Sequence, residues 1–217
     1  MQFSKIKMLW VVFFSITSFA CADLLQKREF CPENNTQGYL KVKGGQIFYQ
    51  TFSFGLPIIV VHGGPGLDQS YLLPQMLELA KDHQLIFYDQ RGSGKSLPAT
   101  IDEQTITMEQ FVADLETVRE QLGLQKFILL GHSWGGLLAM NYAISHQQHL
   151  AALVLLNSAP ATSRGYQAFT EEYARVYAPQ AKQLQIMQDS PQVQQGDPSA
   201  VKELYQLVFS KYFAKIG

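Results

Sequence analysis

The segment Gly131-His132-Ser133-Trp134-Gly135-Gly136 stands between two apolar stretches of different character. Phe127-Ile128-Leu129-Leu130 predicts a buried strand, and Leu137-Leu138-Ala139-Met140-Asn141-Tyr142-Ala143 predicts a helix. A Gly-x-Ser-x-Gly sequence between a strand and a helix leaves the backbone little freedom. The chain must turn sharply, and the turn presents the Ser133 hydroxyl at the end of the strand. Side chains at Gly131 and Gly135 would collide with such a turn. A helix beginning at Trp134 would aim free backbone N–H groups at the space where an oxyanion forms. Ser133 is therefore the candidate nucleophile.

The elements around this turn alternate. Residues 39–52 read as a hairpin about Lys43-Gly44-Gly45-Gln46. Leu56 to Val61 is a continuous apolar run, as in a strand covered on both faces. A helix through Met76-Leu77-Glu78-Leu79-Ala80 follows, then a strand from Gln84 to Tyr88. Met108 to Leu122 has helical apolar spacing and stops at Gly123. Leu150 to Leu156 predicts one more buried strand. Strand and helix in turn define an α/β class with a mostly parallel sheet and helices on both faces. After Pro160 the character changes: residues 161–217 carry Gln, Tyr and Ala in helical patterns, as expected of a helical cap. With 217 residues, 47% of them hydrophobic, the chain can bury one substantial core. A net charge of −1, without a basic stripe, argues against nucleic acid and anionic membrane surfaces as partners.

The N-terminus has a separate purpose. Lys5 and Lys7 precede an apolar stretch from Leu9 to Ala20, and Ala20-Cys21-Ala22 follows. A basic region, a short apolar region and an Ala-x-Ala site describe a secretory signal cleaved after Ala22. The stretch is too short for a spanning helix, which needs about 20 apolar residues. Acylation of Cys21 is the alternative, but Ser18-Phe19-Ala20 matches a lipobox poorly. Cleavage would leave Cys31 without an intrachain partner. The expected organisation is a signal at 1–22, a core at 23–160 and the start of a cap at 161–217. The expected location is periplasmic or secreted, with no membrane attachment after cleavage.

Two further motifs follow strands. His62-Gly63-Gly64-Pro65-Gly66 would let backbone N–H groups approach a reacting carbonyl. Asp89-Gln90-Arg91-Gly92-Ser93-Gly94-Lys95-Ser96 ends like a phosphate-binding loop. That loop needs glycine where Asp89 stands, so the nucleotide reading fails. Asp89 and Arg91 are expected instead to order the loops around the site, and His62 to order the glycine loop through hydrogen bonds.

Taken together, HGGPG at 62–66, DQRGSGKS at 89–96 and GHSWGG at 131–136 resemble the prolyl aminopeptidase (proline iminopeptidase) family of α/β-hydrolases, over residues 38–217 in the same order. The resemblance implies Ser133 as nucleophile and an oxyanion hole from the N–H groups of Trp134 and Gly64, with Gly63 beside it. It implies a sheet of about eight strands with a helical cap, and neither a metal nor an organic cofactor. The implied substrate is a peptide, or a small amide or ester, with a free N-terminus, from which an N-terminal residue such as proline is released.

The chain departs from that family in one respect. The triad of this fold runs Ser, Asp or Glu, then His, yet the only histidines after Ser133 are His146 and His149. Thirteen residues of helix would put His146 about 20 Å from Ser133, and His149 precedes the next strand at its far end; both are expected on the solvated surface. His132 and His62 lie near the site without the position of a general base. Asp189 and Asp197 fall in the cap-like region, as do Glu171 and Glu172, which could meet a substrate ammonium but fit a solvated helix face better. The simplest expectation is that the chain stops inside the cap and exposes sheet edge. Three roles stay open: part of an exported aminopeptidase, another esterase or amidase of this fold, or a silent binding protein retaining the elbow.

Overall fold

The computed structural model describes residues 35–210, except Pro65, Leu97 and Ala99. The expected signal, its cleavage site, Cys21 and Cys31 lie outside the described residues. The described chain divides into two compact units, one ending at Ala161 and one beginning at Thr162.

The first unit is built on a six-stranded sheet: β1 (Thr36–Val42), β2 (Gly45–Phe52), β3 (Leu56–Val61), β4 (His83–Tyr88), β5 (Phe127–His132) and β6 (Leu150–Leu156). The strand order is β1-β2-β4-β3-β5-β6. β2 pairs antiparallel with β1 and β4, and the other pairs are parallel. The expected hairpin is present, with Gly44 at φ +80° in its turn. Helix α1 (Leu73–Met76) lies between β3 and β4, α2 (Met108–Gln121) between β4 and β5, and α3 (Trp134–His146) between β5 and β6.

Alternation along the central strands divides the core between two faces. Ile59, Val61, Ile86, Tyr88 and Leu129 pack with Phe111, Leu115 and Val118 of α2 and with Leu138, Ala139 and Tyr142 of α3. Ile58, Val60, Leu85, Phe87 and Leu130 point the other way, onto Leu72, Leu73, Leu77 and Ala80. Thr107 starts α2 by accepting the Gln110 N–H on its hydroxyl at 3.2 Å. Gly123, at φ +68°, follows the end of α2, where a left-handed residue is wanted.

The order places β3 between β4 and β5. The chain leaves β3 for one side, then returns to its other side, which opens a crevice at the carboxyl ends of these strands. The three motifs of the sequence follow β3, β4 and β5. Val61 is in register with Gly131, so the glycine loop and the elbow leave neighbouring strands at one level.

Two expectations need correction. The helix expected through residues 76–80 is a short α-helix, Leu73–Met76, continued by a 3-10 segment, Leu77–Lys81. Leu73, Leu77 and Ala80 still reach the sheet, so the apolar spacing survives while the bonding tightens. The strand Leu150–Leu156 exists but is not buried: Leu153, Val154 and Leu155 are 37%, 41% and 44% exposed. It pairs only with β5, and no described strand covers its other edge. An apolar run signals two covered faces, and here the described residues do not supply both.

The second unit contains α4 (Ser163–Tyr177), α5 (Ala181–Gln188), α6 (Pro191–Gln194) and α7 (Pro198–Phe209). Thr162, Ser190 and Asp197 cap α4, α6 and α7 through side-chain oxygens. Tyr177, Leu184, Val193 and Leu204 form its small core.

Candidate active site

Ser133 joins β5 to α3 with φ +54° and ψ −120°. Such a conformation costs a non-glycine residue about 1–3 kcal/mol and persists only when its surroundings fix it. They do so here. Ser133 N–H donates to Leu156 O at 3.0 Å, and Ser133 O accepts from Gly136 N–H at 3.0 Å and from Ala159 N–H at 2.8 Å. The expected need for glycine is plain in the contacts. A Cβ on Gly131 would press on Gly135 and lie 2.6 Å from Gly136 Cα; one on Gly135 would strike the carbonyls of Val61 and His62; one on Gly136 would lie 2.6 Å from Ser158 Cβ. The helix start is thus packed directly against β3 and the residues after β6. Trp134 opens α3, whose first N–H groups have no acceptor within the helix.

The glycine loop is held by a buried histidine. His62, 1% exposed, donates from Nδ1 to Gly63 O at 2.6 Å and accepts the Gln90 N–H on Nε2 at 3.0 Å. Gln90 Nε2 donates in turn to His62 O at 2.6 Å. Burial lowers the His62 pKa, which favours the neutral ring that these bonds require. Both nitrogens are committed, so His62 orders the loop and has no free acceptor for a Ser133 proton. Gly64 sits at φ +139°, and a Cβ there would lie 3.0 Å from Gly66 N.

Asp89 connects this loop to the next. Its Oδ1 accepts Gln69 N–H at 3.1 Å and its Oδ2 accepts Lys95 N–H at 2.9 Å. Burial raises its pKa, opposed by these two amides and by His62. Gly94 packs so closely on Asp89 that a Cβ would lie 2.6 Å from its carboxyl carbon. Ser96 is fully buried, and its hydroxyl accepts Phe48 N–H at 2.7 Å, while Lys95 Nζ lies 4.3 Å from the Phe48 ring centre. The Gly94-Lys95-Ser96 sequence is therefore engaged in holding its loop to β2. Arg91 pairs with Asp114 of α2, Nε to Oδ2 at 2.7 Å and Nη2 to Oδ1 at 2.6 Å, and also donates to Thr105 O and Lys43 O.

Two residues of this framework have no counterpart in the sequence reading. Tyr71 Oη accepts the Gly63 N–H at 2.7 Å and lies 2.7 Å from His132 Nδ1. The Gly63 amide, placed beside the hole by resemblance, is thus already engaged. Asp114 is the other. Its signal was a lone acid on the apolar face of α2, between Phe111 and Leu115, where a buried charge demands a cationic partner.

His146 and His149 are remote from the elbow, at the far end of α3 and just before β6. Neither is simply solvated, a correction to expectation: His146 stacks on Tyr142 at 4.5 Å, and His149 Nε2 lies 4.0 Å from Glu116 Oε1. Among the described residues, no group is hydrogen-bonded to the Ser133 hydroxyl. In the second unit, Asp197 caps a helix, Asp189 accepts from Gln185, Glu171 accepts from Gln167 and Glu172 pairs with Arg175. A groove of about 460 Å³ between α2 and α3, lined by Met108, Val112, Glu116, Asn141 and Ser145, includes no residue of the three motifs. Among the described residues no cluster of three or more His, Cys, Asp or Glu could hold a metal.

The strand order, the strained serine between β5 and α3 and the glycine loop after β3 define a class. Residues 57–208 match the family model of the alpha/beta hydrolase fold, and the chain belongs to that family. Within it, the chain is similar to proline iminopeptidases. It is 38% identical over 122 residues to that of Heyndrickxia coagulans, covering 55% of this chain and 42% of the relative. It is 34% identical over 163 residues to that of Lactobacillus delbrueckii subsp. bulgaricus, covering 73% and 52%. The chain spans about half the length of the curated relatives it matches. Among solved structures, VinJ superposes with a TM-score of 0.66 at 25% identity, over 83% of this chain and 62% of that one. A proline iminopeptidase from Mycobacterium smegmatis superposes with a TM-score of 0.61 at 24% identity, over 82% and 60%.

Proposed function

We propose that Ser133 is the nucleophile of a hydrolase that releases an N-terminal residue, proline by preference, from peptides and small amides or esters. The observation that carries this reading is the meeting of the strained Ser133 turn with the Gly63-Gly64 loop at the ends of adjacent strands. In this reading, Oγ attacks the scissile carbonyl and an acyl-enzyme forms as the amine leaves. The N–H groups of Gly64 and Trp134 hold the oxyanion, and water then releases the acid. His62, Asp89 and Arg91 serve as ordering residues, consistent with their bonding. A proton acceptor for Ser133 is still required, and the fold places it on a histidine after the triad acid. His146 and His149 do not occupy that place. Among the described residues no group is hydrogen-bonded to the Ser133 hydroxyl, and that observation supports a second reading, a catalytically silent binding protein that keeps the elbow.

We also propose export, from the Lys5-to-Ala22 pattern. Mass spectrometry of the exported protein should find Asp23 at its N-terminus, and retention of Met1 would overturn that proposal.

The functional test is labelling of Ser133 by a fluorophosphonate, with hydrolysis of a prolyl arylamide and an acetyl aryl ester measured alongside, and Ser133→Ala as control. Ser133-dependent cleavage of the prolyl arylamide supports the aminopeptidase reading. Cleavage of the ester alone points to an esterase, and a folded, unlabelled protein to the silent reading.

A further inference from the structure

One phenol oxygen connects the two segments that meet at the candidate site. Gly63 N–H donates to Tyr71 Oη at 2.7 Å, and the same oxygen lies 2.7 Å from Nδ1 of His132, the residue before the nucleophile. The rings of Tyr71 and His132 also meet edge to face, with centres 5.5 Å apart. The space beside Gly63 shows how closely these groups converge. A Cβ there would lie 2.9 Å from Tyr71 Oη, 3.1 Å from Ser133 Cβ and 3.3 Å from His132 Nδ1.

The direction of the chain of bonds follows from the groups. The amide can only donate, so Tyr71 oxygen is its acceptor. The hydroxyl proton is then free to go to His132 Nδ1. Burial raises the Tyr71 pKa and lowers that of His132, which keeps the phenol protonated and the imidazole neutral, with an acceptor lone pair on Nδ1. Tyr71 is itself anchored. It ends a 3-10 turn capped by Asp68, whose Oδ1 accepts Ser70 N–H at 2.8 Å, and its neighbour Gln69 is bonded to Asp89.

We propose that Tyr71 is a positioning residue, whose hydroxyl fixes the Gly63–Gly64 peptide and the His132 ring relative to Ser133. Its engagement with the Gly63 N–H leaves the Gly64 N–H as the loop's donor to an oxyanion. The orientation of that donor matters because a hole works only when its donors already point at the oxygen that develops charge. The role of the bridge in acyl transfer rests on the serine hydrolase reading, but the bridge itself does not.

The test uses the 217-residue chain and Tyr71→Phe, which keeps the ring and removes the hydroxyl. NMR of ¹⁵N-labelled protein reports the Gly63 amide and the His132 ring nitrogens, and fluorophosphonate labelling reports Ser133 reactivity. In Tyr71→Phe the Gly63 amide proton should move upfield and the His132 pKa should rise. Labelling of Ser133 should slow by about tenfold to a hundredfold, the scale of a misplaced site. His132→Gln, tested as a second variant, should shift the Gly63 amide less than Tyr71→Phe does. Unchanged Gly63 and His132 signals in Tyr71→Phe would overturn the bridge, and changed signals with unchanged labelling would overturn its positioning role. Wild-type protein that resists labelling would sink the hydrolase reading, while the NMR signals would still decide the bridge.

Discussion

The guanidinium of Arg91 and the carboxylate of Asp114 meet through two parallel hydrogen bonds, with both side chains about 3% exposed. The pair ties the loop after β4 to the middle of α2. Burial raises the Asp114 pKa, opposed by the hydrogen bonds and the charge of Arg91. Removing one partner leaves the other charged and buried, which costs about 3–5 kcal/mol. Asp114→Ala should therefore lower the midpoint of urea unfolding by that equivalent. Arg91→Lys should recover little, because an ammonium cannot reproduce the two-armed contact.

The strained serine predicts a stability change of unusual sign. Ser133→Gly relieves a positive φ that Ser133→Ala retains. The glycine variant should be more stable than the alanine variant by about 1 kcal/mol, the scale of left-handed strain at a non-glycine residue. Chemical denaturation of the two would show it; equal midpoints would mean that the turn carries no strain.

Glycines of the elbow should differ sharply from glycines of exposed turns. Gly135→Ala drives a methyl into two carbonyls of the strand end beside it. We expect little or no folded protein, judged by thermal unfolding and near-ultraviolet circular dichroism. Gly44→Ala meets no atom within 4 Å and suffers only its φ of +80°. Its loss should be about 1–2 kcal/mol.

Stability should fall as the solution is acidified below about pH 6.5, the usual histidine value, because both His62 and His132 have lowered pKa values through burial. The unfolded chain binds protons more readily than the native one in that window, so native stability rises with pH through it. His132→Gln should flatten the slope of unfolding free energy between pH 5 and 7. An unchanged slope would show that His132 titrates normally in the folded protein.

The outer edge of β6 predicts self-association. Leu153, Val154 and Leu155 are exposed beside backbone groups that no described strand engages, and such an edge invites pairing between molecules. Leu153→Lys with Leu155→Lys should shift size-exclusion profiles toward monomer without altering the circular dichroism of the sheet.

The framework around Ser133 was legible because its constraints are local. Gly131, Gly135 and Ser133 encode a turn that allows few alternatives, and apolar runs marked β3, β4 and β5 well. Tyr71 and Asp114 were not legible as site residues. Tyr71 meets His132 across 61 positions and Asp114 meets Arg91 across 23, and only the folded strand order brings these pairs together. The exposure of β6 was hidden for the opposite reason. Leu150 to Leu156 has the composition of a strand covered on both sides, and composition does not state what does the covering. The segment at 76–80 carries the apolar spacing of a helix because 3-10 and α turns place Leu77 and Ala80 on nearly the same face over so short a span.

Asp89 gives the loops after β3 and β4 a shared fate. One buried carboxylate holds both, Oδ1 on Gln69 N–H and Oδ2 on Lys95 N–H, so any movement of Asp89 disturbs the two loops at once. We expect the two loops to open together. In hydrogen exchange, the amides of Gln69 and Lys95 would lose protection at one common rate, and Asp89→Ala would release both together. Flexibility around the candidate site is in this sense a property of the joint and not of either loop.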